Sequence, residues 1–305
     1  MSDYTASRYI TDLGVQLSVY DWPQPEFSRP RGLVLLVHGL GEHARRYDGL
    51  AQRLNSWGFA VRGYDQHGHG YSDGERGSLP NTQRLLDDLA EVVDDSRSML
   101  ARSYRGTVPV LLLGHSMGGV VAAYFVATAR RQVHALVLSS PAFDPGLRPW
   151  EQRLLRLLAR YLPNLRIANQ LSVPRLCRDP DVVRAYWRDP QVHDRISLRL
   201  AQFITDTGQA CVSQAPLWTV PTLLLFAGQD HLVNPAGSRA FASLSPSCVK
   251  AHCFKACYHE IFNEPEQETV LECLSLWLAQ QCPVAGGTGL GPDGSGQITS
   301  KFAAL

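Results

Sequence analysis

The run Val110-Leu111-Leu112-Leu113, continued without a break by Gly114-His115-Ser116-Met117-Gly118-Gly119, constrains this chain more than any other segment. Four apolar residues in a row read as a strand buried on both faces. The Gly-x-Ser-x-Gly pentapeptide at its end reads as a sharp turn into a helix running from about Gly118 to Arg130. Such a turn holds its serine in a strained backbone conformation, and the glycines two residues to either side let strand and helix approach closely. The hydroxyl then stands above the sheet at the positive end of a helix dipole. A strand–turn–helix context of this kind is a nucleophile elbow, and Ser116 is its candidate nucleophile.

A serine hydroxyl needs a base to attack at neutral pH, and the base needs an orienting acid. With this elbow the chain order is serine, acid, histidine. The run Pro221-Thr222-Leu223-Leu224-Leu225-Phe226-Ala227-Gly228 reads as a late buried strand, and Gln229-Asp230-His231 follows it. Asp230 is the candidate acid. The next strand-like run is Val249-Lys250-Ala251-His252-Cys253-Phe254, and His259 comes after a short loop. His259 is the candidate base, with one ring nitrogen held by Asp230 and the other free to take the proton of Ser116. His252 lies inside a strand and His231 adjoins the acid, so both are placed less well. A tetrahedral intermediate also needs two backbone N–H groups for its oxyanion. One belongs to Met117, the residue after the nucleophile. The other is assigned to Leu40, in His38-Gly39-Leu40-Gly41 after the buried run Leu33-Val34-Leu35-Leu36-Val37.

Four blocks carry a family resemblance. They are His38-Gly39-Leu40-Gly41-Glu42-His43 with Arg46-Tyr47, Asp65-Gln66-His67-Gly68-His69-Gly70-Tyr71-Ser72-Asp73-Gly74 with Arg76-Gly77, the elbow, and Tyr258-His259-Glu260-Ile261-Phe262-Asn263-Glu264-Pro265. In this order and spacing, over roughly residues 7–280, the chain resembles the monoacylglycerol lipase and lysophospholipase branch of the α/β-hydrolases, grouped with the serine aminopeptidase-like hydrolases. The resemblance implies Ser116, Asp230 and His259 as triad and Leu40 and Met117 as oxyanion donors. It implies a small lipid ester as substrate, with no cofactor. A lysophospholipase, another carboxylesterase, a thioesterase and a carbon–carbon bond hydrolase stay open. An aspartate-dependent dehalogenase or epoxide hydrolase does not fit a serine nucleophile. A binding protein that had lost catalysis would lack a triad member.

The net charge of +1 gives no reason to expect a nucleic-acid partner. No apolar run approaches the roughly 20 residues of a membrane span. The opening Met1-Ser2-Asp3-Tyr4-Thr5 has neither the basic nor the apolar region of a signal peptide, which points to the cytoplasm. Seven cysteines cannot all pair internally and show no small-domain disulfide spacing, so free thiols are expected. Neither Cys248, Cys253 and Cys257 nor His67 and His69 match a metal-ligand spacing, and no metal is expected. Cys257 stands two residues before His259, a position that suggests sensitivity to thiol reagents.

The order of elements is that of an α/β-hydrolase: a mostly parallel central sheet flanked by helices, with a helical cap insertion. Residues 1–143 and 217–282 form the two parts of the core. Residues 144–216, free of strand patterns and punctuated by proline, form the cap. Residues 283–305, rich in glycine, read as a disordered tail. One cap helix carries Trp150, Leu154, Leu157, Leu158, Tyr161 and Leu162 along one face and Arg153, Arg156 and Arg160 opposite. The favoured reading puts its apolar face over the pocket and its arginines in water. The alternative lays it on a membrane or micelle surface. The oligomeric state is not legible in the sequence.

Overall fold

A computed structural model of the chain describes residues 4–22 and 29–283. Its strands, in chain order, are β1 (Thr5–Ile10), β2 (Gln16–Trp22), β3 (Leu33–Val37), β4 (Ala60–Tyr64), β5 (Val110–His115), β6 (Ala135–Ser139), β7 (Arg166–Ala168), β8 (Arg195–Ser197), β9 (Thr222–Ala227) and β10 (Val249–Phe254). Eight of them form one sheet in the order β1-β2-β4-β3-β5-β6-β9-β10. The β1–β2 and β2–β4 pairs are antiparallel, and every pair from β4 to β10 is parallel. This is an α/β-hydrolase fold.

The helices are α1 (Asp48–Ser56), α2 (Arg84–Ser103), α3 (Met117–Ala127), α4 (Pro149–Tyr161), α5 (Pro180–Arg188), α6 (Leu198–Gln214), α7 (Pro235–Leu244) and α8 (Gln267–Gln281). The apolar run in β5 has a direct cause. Val110 and Leu112 pack into one core with α2, α3, α6 and α7, while Leu111 and Leu113 pack into a second core with α1 and α8. A strand covered on both faces favours an unbroken apolar run over an alternating one. From β3 the chain steps to β4 on one side and later returns to β5 on the other. A sheet whose order reverses in this way opens a crevice at the carboxyl ends of the strands.

The segment between β6 and β9 differs from the sequence expectation in two respects. It is mainly helical, but β7 and β8 pair antiparallel within it, Arg166 to Ser197 and Ile167 to Ile196. Strands of three residues are too short to display a two-residue period, so the pattern did not announce them. The second difference concerns α4. Its large apolar residues do not face the pocket: Trp150, Leu154, Leu157 and Tyr161 are 45–70% exposed. The buried position is Ala159, on the side that packs against α6, and Leu155 alone of the helix's leucines lines the cavity below. A small residue allows the close helix–helix approach that a bulky one would prevent. Among the described residues no helix is long and apolar enough to cross a membrane. The glycine-rich stretch expected as a tail falls, from residue 284 onward, outside the described residues.

Candidate active site

Ser116 sits between β5 and α3 with φ 53° and ψ −118°. This is a left-handed conformation that a residue with a side chain adopts only at a cost. The glycines around it are there because nothing larger fits. A Cβ on Gly114 would lie 2.4 Å from the Gly118 carbonyl oxygen, and one on Gly118 would lie 2.1 Å from that of Val37. The Ser116 N–H donates to the Ser139 carbonyl at 3.0 Å, which ties the turn to β6.

Asp230 follows β9 and His259 follows β10, so both arrive at the same edge of the sheet as Ser116. Asp230 Oδ2 and His259 Nδ1 are 2.7 Å apart, and the two side chains are 2% and 4% exposed. Asp230 Oδ1 accepts the N–H groups of Leu232 and Val233 at 2.9 and 3.0 Å. Burial works against the carboxylate's charge, but His259 and these N–H groups outweigh it and hold Asp230 below the usual carboxylate range. Burial likewise disfavours an imidazolium at His259. The charge and hydrogen bond of Asp230, with Glu260 and Glu42 behind, prevail and raise its pKa above the ordinary histidine value.

Ser116 and His259 open onto one cavity of about 420 Å³, together with Leu40 and Met117. No hydrogen bond joins Ser116 to His259 among the described residues. Catalytic contacts of this kind often tighten only with substrate in place. No acceptor among the described residues takes the N–H of Leu40 or of Met117, the first residue of α3. The β6–β9 segment roofs the cavity with Leu147, Leu155, Tyr186 and Ile204. Glu151 also reaches it, but its carboxylate accepts the Arg148 N–H at 2.7 Å and caps α4.

Among the described residues neither competing histidine pairs with Asp230, although His231 lines the same cavity as Ser116. His252 is exposed on the edge strand β10, and His231 rests edge-on against Tyr258. His38 accepts the Gln66 N–H on Nε2 at 2.9 Å and so donates from Nδ1 to the Gly39 carbonyl at 2.8 Å, a neutral ring that shapes the Leu40 loop. His67 lies beneath Gly74, and the His69 ring sits between those of His38 and His193, tilted to both. Asp65 anchors its loop by accepting from Tyr20 Oη, Ala44 N–H and Tyr71 N–H, each at 2.9 Å.

Among the described residues the one grouping at metal-ligand spacing is Cys257, Glu264 and Glu266. Arg178 already engages both carboxylates. Cys257 is buried, and burial with the two glutamates pushes its thiol up to about 12. It is therefore a poor thiolate, contrary to the reactivity its sequence position suggests.

Sequence reasoning assigned no role to Glu42, Arg46 and Glu260, which meet in a buried ion-pair network beside His259. Only the four-residue spacing of Glu42 and Arg46 hinted at a pair.

Comparison with known proteins agrees with this architecture. The family model described as Serine aminopeptidase, S33, matches residues 28–266. A monoacylglycerol lipase of Mycolicibacterium smegmatis is 36% identical over 271 residues, covering 87% of this chain and 93% of that protein. Phospholipase YtpA of Bacillus subtilis is 32% identical over 259 residues, covering 83% of this chain and 96% of its own length. The crystal structure of the Paleococcus ferrophilus monoacylglycerol lipase superposes with a TM-score of 0.76 at 33% identity, covering 87% of this chain and 99% of that one.

Proposed function

Since the chain belongs to the serine aminopeptidase-like hydrolases, in their monoacylglycerol lipase branch, we propose that it hydrolyses monoacylglycerols to fatty acid and glycerol through an acyl-enzyme on Ser116. It is a carboxylic ester hydrolase acting on lipid esters. The observation that carries the finer reading is the 2.7 Å Asp230–His259 pair opening onto the same cavity as Ser116 and the two unengaged N–H groups.

In the proposed reaction His259 Nε2 removes the Ser116 proton as Oγ attacks the ester carbonyl. Asp230 holds the ring in the right tautomer and balances the imidazolium. The oxyanion rests on the N–H groups of Leu40 and Met117, at the start of a helix whose dipole favours it. His259 then protonates the leaving glycerol oxygen. Water, activated by the same imidazole, releases the fatty acid and restores Ser116. No metal or cofactor is required by any step.

We assign residues 144–216 as a cap over a core formed by 1–143 and 217–282, and the apolar residues that cap gives the cavity suit an acyl chain. The exposed apolar face of α4 is proposed to rest on the lipid surface from which substrate is drawn.

The likeness to a phospholipase supports a second reading, in which the head group is a phosphoglycerol ester. Fatty-acid release from a monoacylglycerol and from a chain-matched lysophospholipid separates the two. Wild type is expected to prefer the monoacylglycerol, and Ser116→Ala to lose about 10⁴-fold or more in turnover. Near-normal turnover of a purified Ser116→Ala protein would remove the triad. Faster release from the lysophospholipid would move the substrate class.

A further inference from the structure

The Leu40 loop and the His259 loop must hold a fixed register, because one binds the oxyanion while the other moves the proton. They come from opposite ends of the chain. One set of buried side chains joins them. Glu42 Oε1 accepts the Gly39 N–H at 2.6 Å and the Tyr47 hydroxyl at 2.6 Å. Arg46 pairs with Glu42 Oε2, and it grips Glu260 with two parallel bonds of 2.7 and 2.9 Å across 214 residues of sequence. Asn263 Nδ2 donates to Glu260 Oε2 at 2.9 Å. The Tyr186 ring from α5 lies over the Arg46 guanidinium, 4.6 Å from it.

We infer that Glu260, acting through Arg46 and Glu42, is a positioning residue: the three side chains form a strut that sets the oxyanion loop against the histidine loop. The inference rests on the triad reading given above. Buried ion pairs contribute little net stability, since desolvation offsets most of their attraction, but their geometry is exacting. An arginine fork on a carboxylate fixes distance and angle together, which a leucine contact would not. The strut also has an electrostatic consequence. Two carboxylates against one guanidinium leave a net negative charge beside His259, where the imidazolium forms.

The groups that face His259 from the surrounding elements are Asp230 after β9, Glu42 and Arg46 after β3, His115 in the elbow and Glu260 itself. Both glutamates act in the same direction as Asp230, favouring the protonated ring. Glu260 and Glu42 are both held ionised, against burial, by Arg46.

The test uses Glu260→Gln and Arg46→Lys, with Ser116→Ala as control, on p-nitrophenyl butyrate and on a monoacylglycerol, across about pH 5 to 9. Positioning predicts that kcat falls about 10- to 100-fold on both substrates while KM changes by less than about 2-fold. For Glu260→Gln it further predicts that the acid limb of kcat/KM moves to lower pH, because a negative charge that favours imidazolium is gone. Arg46→Lys keeps the charge but loses the fork, and it carries the same kcat test if Glu260→Gln does not fold. Wild-type kcat on the p-nitrophenyl ester in either variant, with Ser116→Ala inactive, overturns the inference alone. A rise in KM confined to the monoacylglycerol also overturns it, by making the strut a head-group contact. Activity surviving in Ser116→Ala would instead overturn the triad reading on which it rests.

Discussion

Ser116 stores backbone strain that its own replacement can reveal. At φ 53° an alanine meets the same steric conflict as the serine, whereas a glycine does not. Relief of that conflict is worth about 1–3 kcal/mol. Glycine gives back about 0.4–1 kcal/mol through the greater freedom of the unfolded chain. The net expectation is that Ser116→Gly is more stable than Ser116→Ala by about 1 kcal/mol. Urea unfolding of the two variants measures it, and equal midpoints would mean that the turn is not strained as its dihedral implies. Strain at this point suits the role proposed for Ser116, since the sharp turn sets the residue between β5 and α3 at the cavity.

Helix α4 illustrates why a hydrophobic pattern alone does not say which way an element faces. Its apolar residues share one side, and an inward-facing helix is the usual meaning of such a stripe. The structure turns that side outward, because Ala159 gives α6 a closer approach than any leucine would. Arg153, Arg156 and Arg160 remain exposed as well, so the helix presents both charge and apolar surface to its surroundings. A Leu157→Glu substitution is therefore expected to leave hydrolysis of p-nitrophenyl butyrate unchanged. Sedimentation with anionic vesicles should fall by about 10-fold or more, together with turnover of vesicle-borne monoacylglycerol. If vesicle binding survives the substitution, the face has some other use.

Across the whole molecule, the β6–β9 segment meets the loops after β3 and β4 through three closely packed, mutually tilted imidazoles. His38 and His69 have ring centroids 5.2 Å apart, and His69 and His193, from the β6–β9 segment, 4.8 Å. Burial is the main reason that all three resist protonation, and for His193 the nearby Arg76 adds to it, bringing its pKa down to about 4. In the unfolded chain a histidine titrates near 6.5. Between those values the unfolded state binds more protons than the folded one, so this contribution to stability is complete above about pH 6.5 and is lost as pH falls toward 4. The melting temperature should decline across that window, and His193→Gln should flatten the decline. A slope unchanged by that variant would assign acid sensitivity to other groups. The carboxylates held below their ordinary range, such as Asp230, act in the same direction only at still lower pH.

Local chemistry made much of this protein legible. The apolar runs of β3, β5 and β9 signalled a doubly covered parallel sheet because the middle of such a strand meets apolar packing on both faces. The elbow, the placement of Asp230 after Gly228 and that of His259 after β10 followed from backbone requirements confined to a few neighbouring residues. Those requirements are written in the sequence itself. The facing of α4, the β7–β8 pair, the quiet burial of Cys257 and the Glu42–Arg46–Glu260 strut were not legible. Each depends on a partner far away in the chain, and a glutamate beside the candidate base has no assigned function until folding brings an arginine to it. The sequence by itself determined the sheet, the turn and which residues are candidates for the reacting groups, because these obey short-range sterics and periodicity. Tertiary structure alone decided which surface meets solvent and how the two halves of the site are held in register, because packing and buried charge are settled between elements rather than within them.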